Sequence, residues 1–188
     1  MRLFGIAGDV PKLLVCIAFL CSLTASAGAA AMTAGGALLE GLDHESESGV
    51  RGRVKWEIHR WRSPQRYFVL RFAQITEEDV SWDGKREMDA RELGVIARAL
   101  AAVTVQAAES EVSMDGAYGN FRVALFKSDT GMKCFGLRSY SGNNWPDTYS
   151  TFEGGGEPMG PDLLQGLFCR EAGEISMDEV QGLLDTIQ

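Results

Sequence analysis

Charged side chains are absent from residues 13–39, a stretch that directly follows Lys12. Its first part, Leu13 to Leu23, is strongly apolar, and its second part, Thr24 to Ala37, is almost entirely Ala, Gly, Ser and Thr. A basic start, an apolar core and then small residues are typical of an export signal. We therefore expect 1–27 to be a signal peptide, with a cut as late as residue 31 also compatible with the small residues.

An uncleaved membrane anchor is the alternative, because about 20 apolar residues span a bilayer. In either case the remainder of the chain lies outside the cytoplasm. We expect a periplasmic or secreted protein, or one anchored in the inner membrane with its domain in the periplasm. Residues 28–49 are small, polar and acidic and predict a flexible linker, which leaves 50–188 as a single domain.

Cysteine is scarce, and two of the four cysteines lie within the predicted signal. Cys134 and Cys169 remain, an even number in an oxidising compartment, which predicts a disulfide. A redox pair is the alternative, but such pairs are usually close in sequence, as in C-x-x-C, and these two are far apart.

Enzyme signatures are also scarce. The chain has only two histidines: His44 lies in the predicted linker, and His59 falls on the polar face of a predicted strand. There is no G-x-S-x-G, no zinc-ligand spacing and no phosphate-binding glycine loop, so we predict no catalytic residue, no metal and no cofactor. Whether the chain is an enzyme stays open, with a small envelope hydrolase using His59 or a carboxylate pair as the alternative.

Alternation of apolar and polar residues predicts two hairpins. The first joins Val54–Ile58 to Phe68–Phe72 through a turn at Arg62–Gln65, and the second joins Phe121–Leu125 to Met132–Ser139. The run Leu163–Cys169 is largely apolar and fits a strand or a helix turn equally well.

Capping boxes predict the two helices. Asp89 and Glu92 open the first, which we expect to end near Ala108, and Ser176 and Glu179 open the second. The predicted fold class is therefore α+β: a four-stranded antiparallel sheet in ββα-ββα order, with two helices on one face and one disulfide.

The first hairpin concentrates positive charge. Seven basic residues and one acidic residue, Glu57, lie between Arg51 and Arg71, in a chain whose formal net charge is −8. Aromatic residues are interleaved, so this basic-aromatic hairpin is a candidate for contact with an anionic cell-envelope surface or an envelope protein, through Arg53, Lys55, Trp61 and Arg66. The alternative is a solvated strand face that pairs with the acidic C-terminal half. Nucleic acid is excluded as a partner by the compartment and the overall charge, and a membrane is a partner only if the signal is uncleaved.

A second candidate contact surface is the aromatic segment after Tyr140. Trp145 and Tyr149 lie in a stretch rich in Ser, Asn, Thr and Gly, which suits a sugar or protein interface. Ser141-Gly142, Trp145, Phe152 and Gly155-Gly156 resemble the motif of periplasmic C-type lysozyme inhibitors, although Gly155 stands where that family has a lysine. The resemblance implies an inhibitor of a cell-wall hydrolase, and the missing lysine removes the group that would reach an enzyme's carboxylates.

The C-terminal third is similar to the endings of small exported Gram-negative bacterial proteins of unknown function. The similarity rests on Cys134-Phe135-Gly136, on Leu167-Phe168-Cys169 and on the apolar spacing from Met177 to Ile187. It implies an exported, disulfide-bonded protein and no particular activity. The sequence as a whole thus predicts a non-catalytic binding or interaction domain of the cell envelope.

Overall fold

The structure is a computed structural model that describes residues 32–76, 83–84, 88, 90–141, 157–158 and 162–188. Within these ranges, two helices, α1 (Ala90–Ala101) and α2 (Met177–Leu184), accompany ten strands. The strands are β1 (Asp43–Arg51), β2 (Val54–Arg62), β3 (Arg66–Ile75), β4 (Asp83–Gly84), β5 (Val105–Ala108), β6 (Val112–Gly116), β7 (Gly119–Ser128), β8 (Lys133–Ser141), β9 (Glu157–Pro158) and β10 (Asp162–Arg170).

One large antiparallel sheet dominates the fold. Its strand order is β1-β2-β3-β10-β8-β7-β5, and β6 also pairs with β7. The short strands β4 and β9 form a separate two-stranded pair. Both predicted hairpins are present, as β2–β3 and β7–β8. The predicted four-stranded sheet in ββα-ββα order is wrong, because four described strands precede α1 and six lie between α1 and α2, and β10 lies between the two hairpins and pairs with β3 and β8, which joins them into one wider sheet.

The two helices cover opposite faces of the sheet, so the prediction that both lie on one face is also wrong. Helix α2 packs over a cluster that includes Phe135 and Phe168, whereas α1 packs over one that includes Cys134 and Leu167. Because consecutive strand residues point to opposite faces, these neighbouring residues define two separate cores. The fold therefore has three layers and remains in the α+β class.

The predicted disulfide between Cys134 and Cys169 is confirmed. The two cysteines lie directly opposite each other on β8 and β10, with Cα atoms 4.1 Å apart, and both are buried beneath α1. The bond therefore links two central strands that are 35 residues apart in sequence.

Helix α1 ends earlier than Ala108. It stops at Ala101, and Ala102 has a positive φ of 55°, a conformation that interrupts a helix. The following residues, from Val105 to Ala108, form β5 at the edge of the sheet. The β-branched Val103, Thr104 and Val105 favour this extended conformation over further helix.

Residues 32–49 belong to the part of the chain predicted as a linker, and the structure places them against the domain. Met32, Leu38 and Leu39 are buried in the core beneath α2, and Thr33 exchanges backbone hydrogen bonds with Gln188. Residues from Asp43 onward form β1, which pairs with β2 along its full length.

Candidate functional site

The edge hairpin, β1 with β2, brings together most of the polar residues that stand out in the sequence. It turns at Gly52, whose φ of +61° is readily adopted by glycine. The register places His44 opposite Trp61, Ser46 opposite His59 and Ser48 opposite Glu57. These six side chains share one face of the sheet, because residues directly opposite each other in an antiparallel pair point the same way.

A chain of hydrogen bonds joins Glu57, His59 and His44 on this face. The Glu57 Oε1 to His59 Nε2 distance is 2.8 Å, and the His59 Nδ1 to His44 Nε2 distance is 3.0 Å. We call these three residues the relay. An ionised Glu57 only accepts hydrogen bonds, so His59 Nε2 carries the proton and donates it. In neutral rings His59 Nδ1 then accepts from His44 Nε2–H, which leaves the lone pair of His44 on Nδ1.

Aromatic packing holds the relay in place. The rings of His44 and His59 are nearly parallel, at 4°, and His44 stacks on Trp61 with ring centroids 4.5 Å apart. His59 and Trp61 are buried, while His44 is exposed. Glu57 is also anchored, because its Oε2 accepts a long hydrogen bond of 3.5 Å from the Met32 backbone. The relay thus runs from a half-buried carboxylate through a buried ring to an imidazole at the surface.

The geometry makes His44, and not His59, the residue that can exchange a proton with another molecule. Both ring nitrogens of His59 already have partners, so it cannot activate a serine, although Ser46 lies opposite it. Only Nδ1 of His44 is without a hydrogen bond among the relay nitrogens that the structure describes. A basic nitrogen with a fixed tautomer at the surface can accept a proton from water or a hydroxyl.

Two cations of the predicted basic hairpin form ion pairs with acidic residues of β1. Arg60 pairs with Glu47 at 2.5 Å and Arg62 pairs with Glu45 at 2.5 Å, across the β1–β2 ladder. The acidic partners therefore come from the stretch predicted as a linker. The pairing of hairpin cations with the C-terminal half, which the sequence left open, does not occur for these two arginines.

Three exposed side chains form what we call the tip: Val50, Arg51 and Lys55, beside the turn of the edge hairpin. Val50 is 68% exposed. Arg51 and Lys55 are exposed and form no ion pair within the described ranges. The tip thus presents two cations and an apolar side chain to solvent at one end of the sheet, with Val50 and Lys55 on one face and Arg51 on the other.

The residues predicted for binding do not form one surface. Lys55 belongs to the tip, and Arg53 is exposed in the adjoining turn, where its carbonyl accepts from the Thr76 backbone and hydroxyl. Trp61 is 7% exposed and belongs to the core, so its ring is not part of the predicted contact surface. Arg66 is half-buried and donates to the Glu40 carbonyl.

Two other predicted residues, Trp145 and Tyr149, lie outside the described residues.

The sequence does not predict the relay, because His44 falls in the predicted linker and Glu57 stands out only as the one acidic residue between Arg51 and Arg71. The alternation of Glu57, His59 and Trp61 in β2 was the one available signal, since side chains two apart share a strand face.

A second polar cluster lies on the opposite face of the sheet, beside α1. Arg138 is 4% exposed and contacts Glu92 at 2.5 Å, and its guanidinium lies 5.3 Å from the centre of the Tyr140 ring. Burial raises the pKa of Tyr140 above its ordinary value of 10.0, with Arg138 opposing the shift and Glu92 adding to it. The pair joins α1 to β8, and we assign it a structural role.

Comparisons with known proteins do not place the chain in a family. No family model matches the sequence, and no curated protein or solved structure shows significant similarity to it. Within the described part of the chain, no helix has the length and apolar character needed to cross a membrane. The same residues contain no group of three or more His, Cys, Asp or Glu side chains that could hold a metal ion.

Proposed function

We propose that this chain is an exported cell-envelope protein that acts by binding an anionic partner through the tip, without catalysis. One observation carries the proposal: Arg51 and Lys55 are exposed and without an ion pair among the described residues, while Arg60 and Arg62 are neutralised within the same hairpin. Exposed cations beside an apolar side chain suit an anionic envelope surface or an acidic protein patch.

Export belongs to the proposal. The character of residues 1–27 supports it, and so does the disulfide between Cys134 and Cys169, because disulfides persist in oxidising compartments and are rare in the cytosol. The protein would then be periplasmic or secreted, or anchored with its domain in the periplasm. Cell fractionation combined with determination of the mature N-terminus tests this directly.

The binding test removes the two positive charges of the tip. In the variant Arg51→Gln/Lys55→Gln, we expect weaker retention on isolated envelope membranes at low salt. The difference from the unaltered protein should shrink as salt rises, because salt screens exposed charges. The matched control Arg98→Gln/Lys127→Gln removes two exposed cations elsewhere and should be retained as before. Equal retention of both double variants would contradict the proposal.

A small envelope hydrolase is the second candidate, and the relay favours it. His44 Nδ1 could take a proton from a water molecule that attacks an ester or amide carbonyl, with Glu57 and His59 stabilising the protonated ring. We expect a chromogenic ester to be hydrolysed faster by the unaltered protein than by Glu57→Gln, and faster by Glu57→Gln than by His44→Gln. Equal rates for all three would remove this candidate.

A further inference from the structure

The outer edge of β1 is a long, regular strand edge without a neighbour in the described structure. β1 stands at the end of the sheet order, and eight of its nine residues are exposed. Its pairing with β2 runs from Asp43 to Arg51 without a bulge. Unpaired backbone N–H and C=O groups along such an edge are a template for another strand.

The opposite edge of the sheet is different. It is divided between β5 and β6, which have only four and five residues, and the register of β5 against β7 shifts between Val105 and Ala107. Short, irregular edge strands are a common protection against unwanted pairing. β1 has no proline, no lysine and no such irregularity, so its charged side chains are the one such protection that it carries.

Charge along β1 identifies the partner. The strand is acidic in its first half, at Asp43, Glu45 and Glu47, and ends with the basic Arg51. All four side chains lie on one face, since they are spaced by even numbers of residues. Two copies of such a strand, laid antiparallel, would bring the acidic half of one against the basic end of the other. We propose that the protein forms a symmetric dimer by antiparallel pairing of β1 with β1 of a second copy.

The register of the pairing follows from symmetry. In a symmetric antiparallel pair, one residue must lie opposite its own copy. The reason is that only alternate residues of β1 direct their backbone N–H and C=O groups towards the second copy, and these must face the same set of residues there. Centring on Glu47 would place Glu47 opposite its own copy, which like-charge repulsion disfavours. Centring on Ser48 pairs residues 45–51 of both strands and places Glu45, which already contacts Arg62 of its own chain, opposite Arg51 of the other copy twice. We infer this second register.

The pairing extends the sheet across two copies and goes beyond the proposed binding function. Lys55 belongs to β2, so it does not lie on the dimer edge. Arg51 takes part in both proposals: in the dimer it faces Glu45 of the second copy, so Lys55 is then the cation of the tip that has no ion pair among the described residues. The two proposals have separate readouts, which are mass in solution for the dimer and membrane retention of the single variant Lys55→Gln for the tip. Failure of one therefore does not decide the other.

The test uses charge reversal in the full chain, with mass measured by sedimentation over a range of concentrations. The unaltered protein should be a concentration-dependent dimer. Glu45→Arg and Arg51→Glu should each be monomeric, because each places like charges opposite each other twice. Mixing the two variants should restore a dimer, since both pairs of facing side chains at positions 45 and 51 then carry opposite charges. Circular dichroism checks that each variant is folded.

Glu171→Arg is the matched control, because Glu171 is exposed and lies outside β1. It makes the same change in net charge as Glu45→Arg and should remain dimeric. A monomeric unaltered protein at every concentration would overturn the proposal. So would dimers of either single variant as strong as the unaltered dimer, or a mixture of the two variants that stays monomeric.

Discussion

The ion pair between Arg170 and Glu179 gives the most quantitative prediction. Arg170 Nη1 and Nη2 contact Glu179 Oε1 and Oε2 at 2.8 and 3.0 Å, and the Ser176 backbone N–H donates to Glu179 Oε2 at 2.9 Å. These bonds lower the pKa of Glu179 from 4.5 to about 2, with the Arg170 hydrogen bond as the largest cause. The carboxylate therefore fastens the start of α2 to the end of β10.

The magnitude follows from the pKa. Each unit of difference between the folded and unfolded states corresponds to about 1.4 kcal/mol, so the full shift would be worth about 3 kcal/mol. The Glu179 side chain is 36% exposed, and solvent screening reduces this to about 1–2 kcal/mol. Because the folded pKa is the lower one, this stability is present above pH 4.5 and is lost as the pH falls towards about 2.

The variant Glu179→Gln isolates the charge. Glutamine can still accept the Ser176 N–H in a capping box, so the cap is retained while the ion pair is lost. Denaturant unfolding at neutral pH should show a loss of about 1–2 kcal/mol, and the difference from the unaltered protein should vanish near pH 2. The control Glu171→Gln, at an exposed carboxylate, should change little. A loss that stays constant down to pH 2 would refute the reasoning.

Further substitutions test the interior of the sheet and the helix α1 that covers it. Tyr67→Phe should leave stability at neutral pH unchanged or raise it by up to about 1 kcal/mol, because the Tyr67 hydroxyl is buried and has no hydrogen-bond partner among the residues that the structure describes. Burial and the charge of Asp129 raise the Tyr67 pKa from 10.0 to about 12. The free energy of unfolding of the unaltered protein should therefore fall as the pH rises between these two values, and it should fall less in Tyr67→Phe. Replacing Cys134 and Cys169 by alanine should cost about 4 kcal/mol in denaturant unfolding. Gly136→Ala should lower the melting temperature, because the added Cβ would lie 2.3 Å from the buried Leu93 side chain. Gly94→Ala on α1 should raise it, because the added Cβ meets open space and alanine favours the helix.

The sequence predicted those elements whose pattern is local. The β2–β3 hairpin has alternating residues and a turn, and α2 has a capping box that the structure reproduces between Ser176 and Glu179. β10 is ambiguous in the sequence because it is largely buried on both faces, so its apolar residues show no alternation with polar ones. Its place between β3 and β8 is a long-range pairing, and nothing in the local pattern specifies it.

β1 was missed for the opposite reason. Its nine residues contain only one aliphatic side chain, Val50, so apolar alternation cannot reveal the strand. An edge strand with little burial is held by its ladder and by side-chain pairs with β2, which are invisible until the register is known. His44, Glu45 and Glu47 were therefore placed in a linker, although they contact His59, Arg62 and Arg60.

The same strand changes the charge balance of the hairpin. Along the sequence, the region from Arg51 to Arg71 is strongly basic, but the acidic residues of β1 neutralise Arg60 and Arg62 across the ladder. Each exposed ion pair of this kind stabilises the fold by under about 1 kcal/mol. The main consequence of the pairing is therefore where the remaining positive charge of the hairpin lies. Arg51 and Lys55, which have no ion pair in the described part of the chain, are left at the tip, next to the turn where the acidic stretch ends. Contact with an anionic partner should therefore depend on these two residues and be insensitive to loss of Arg62.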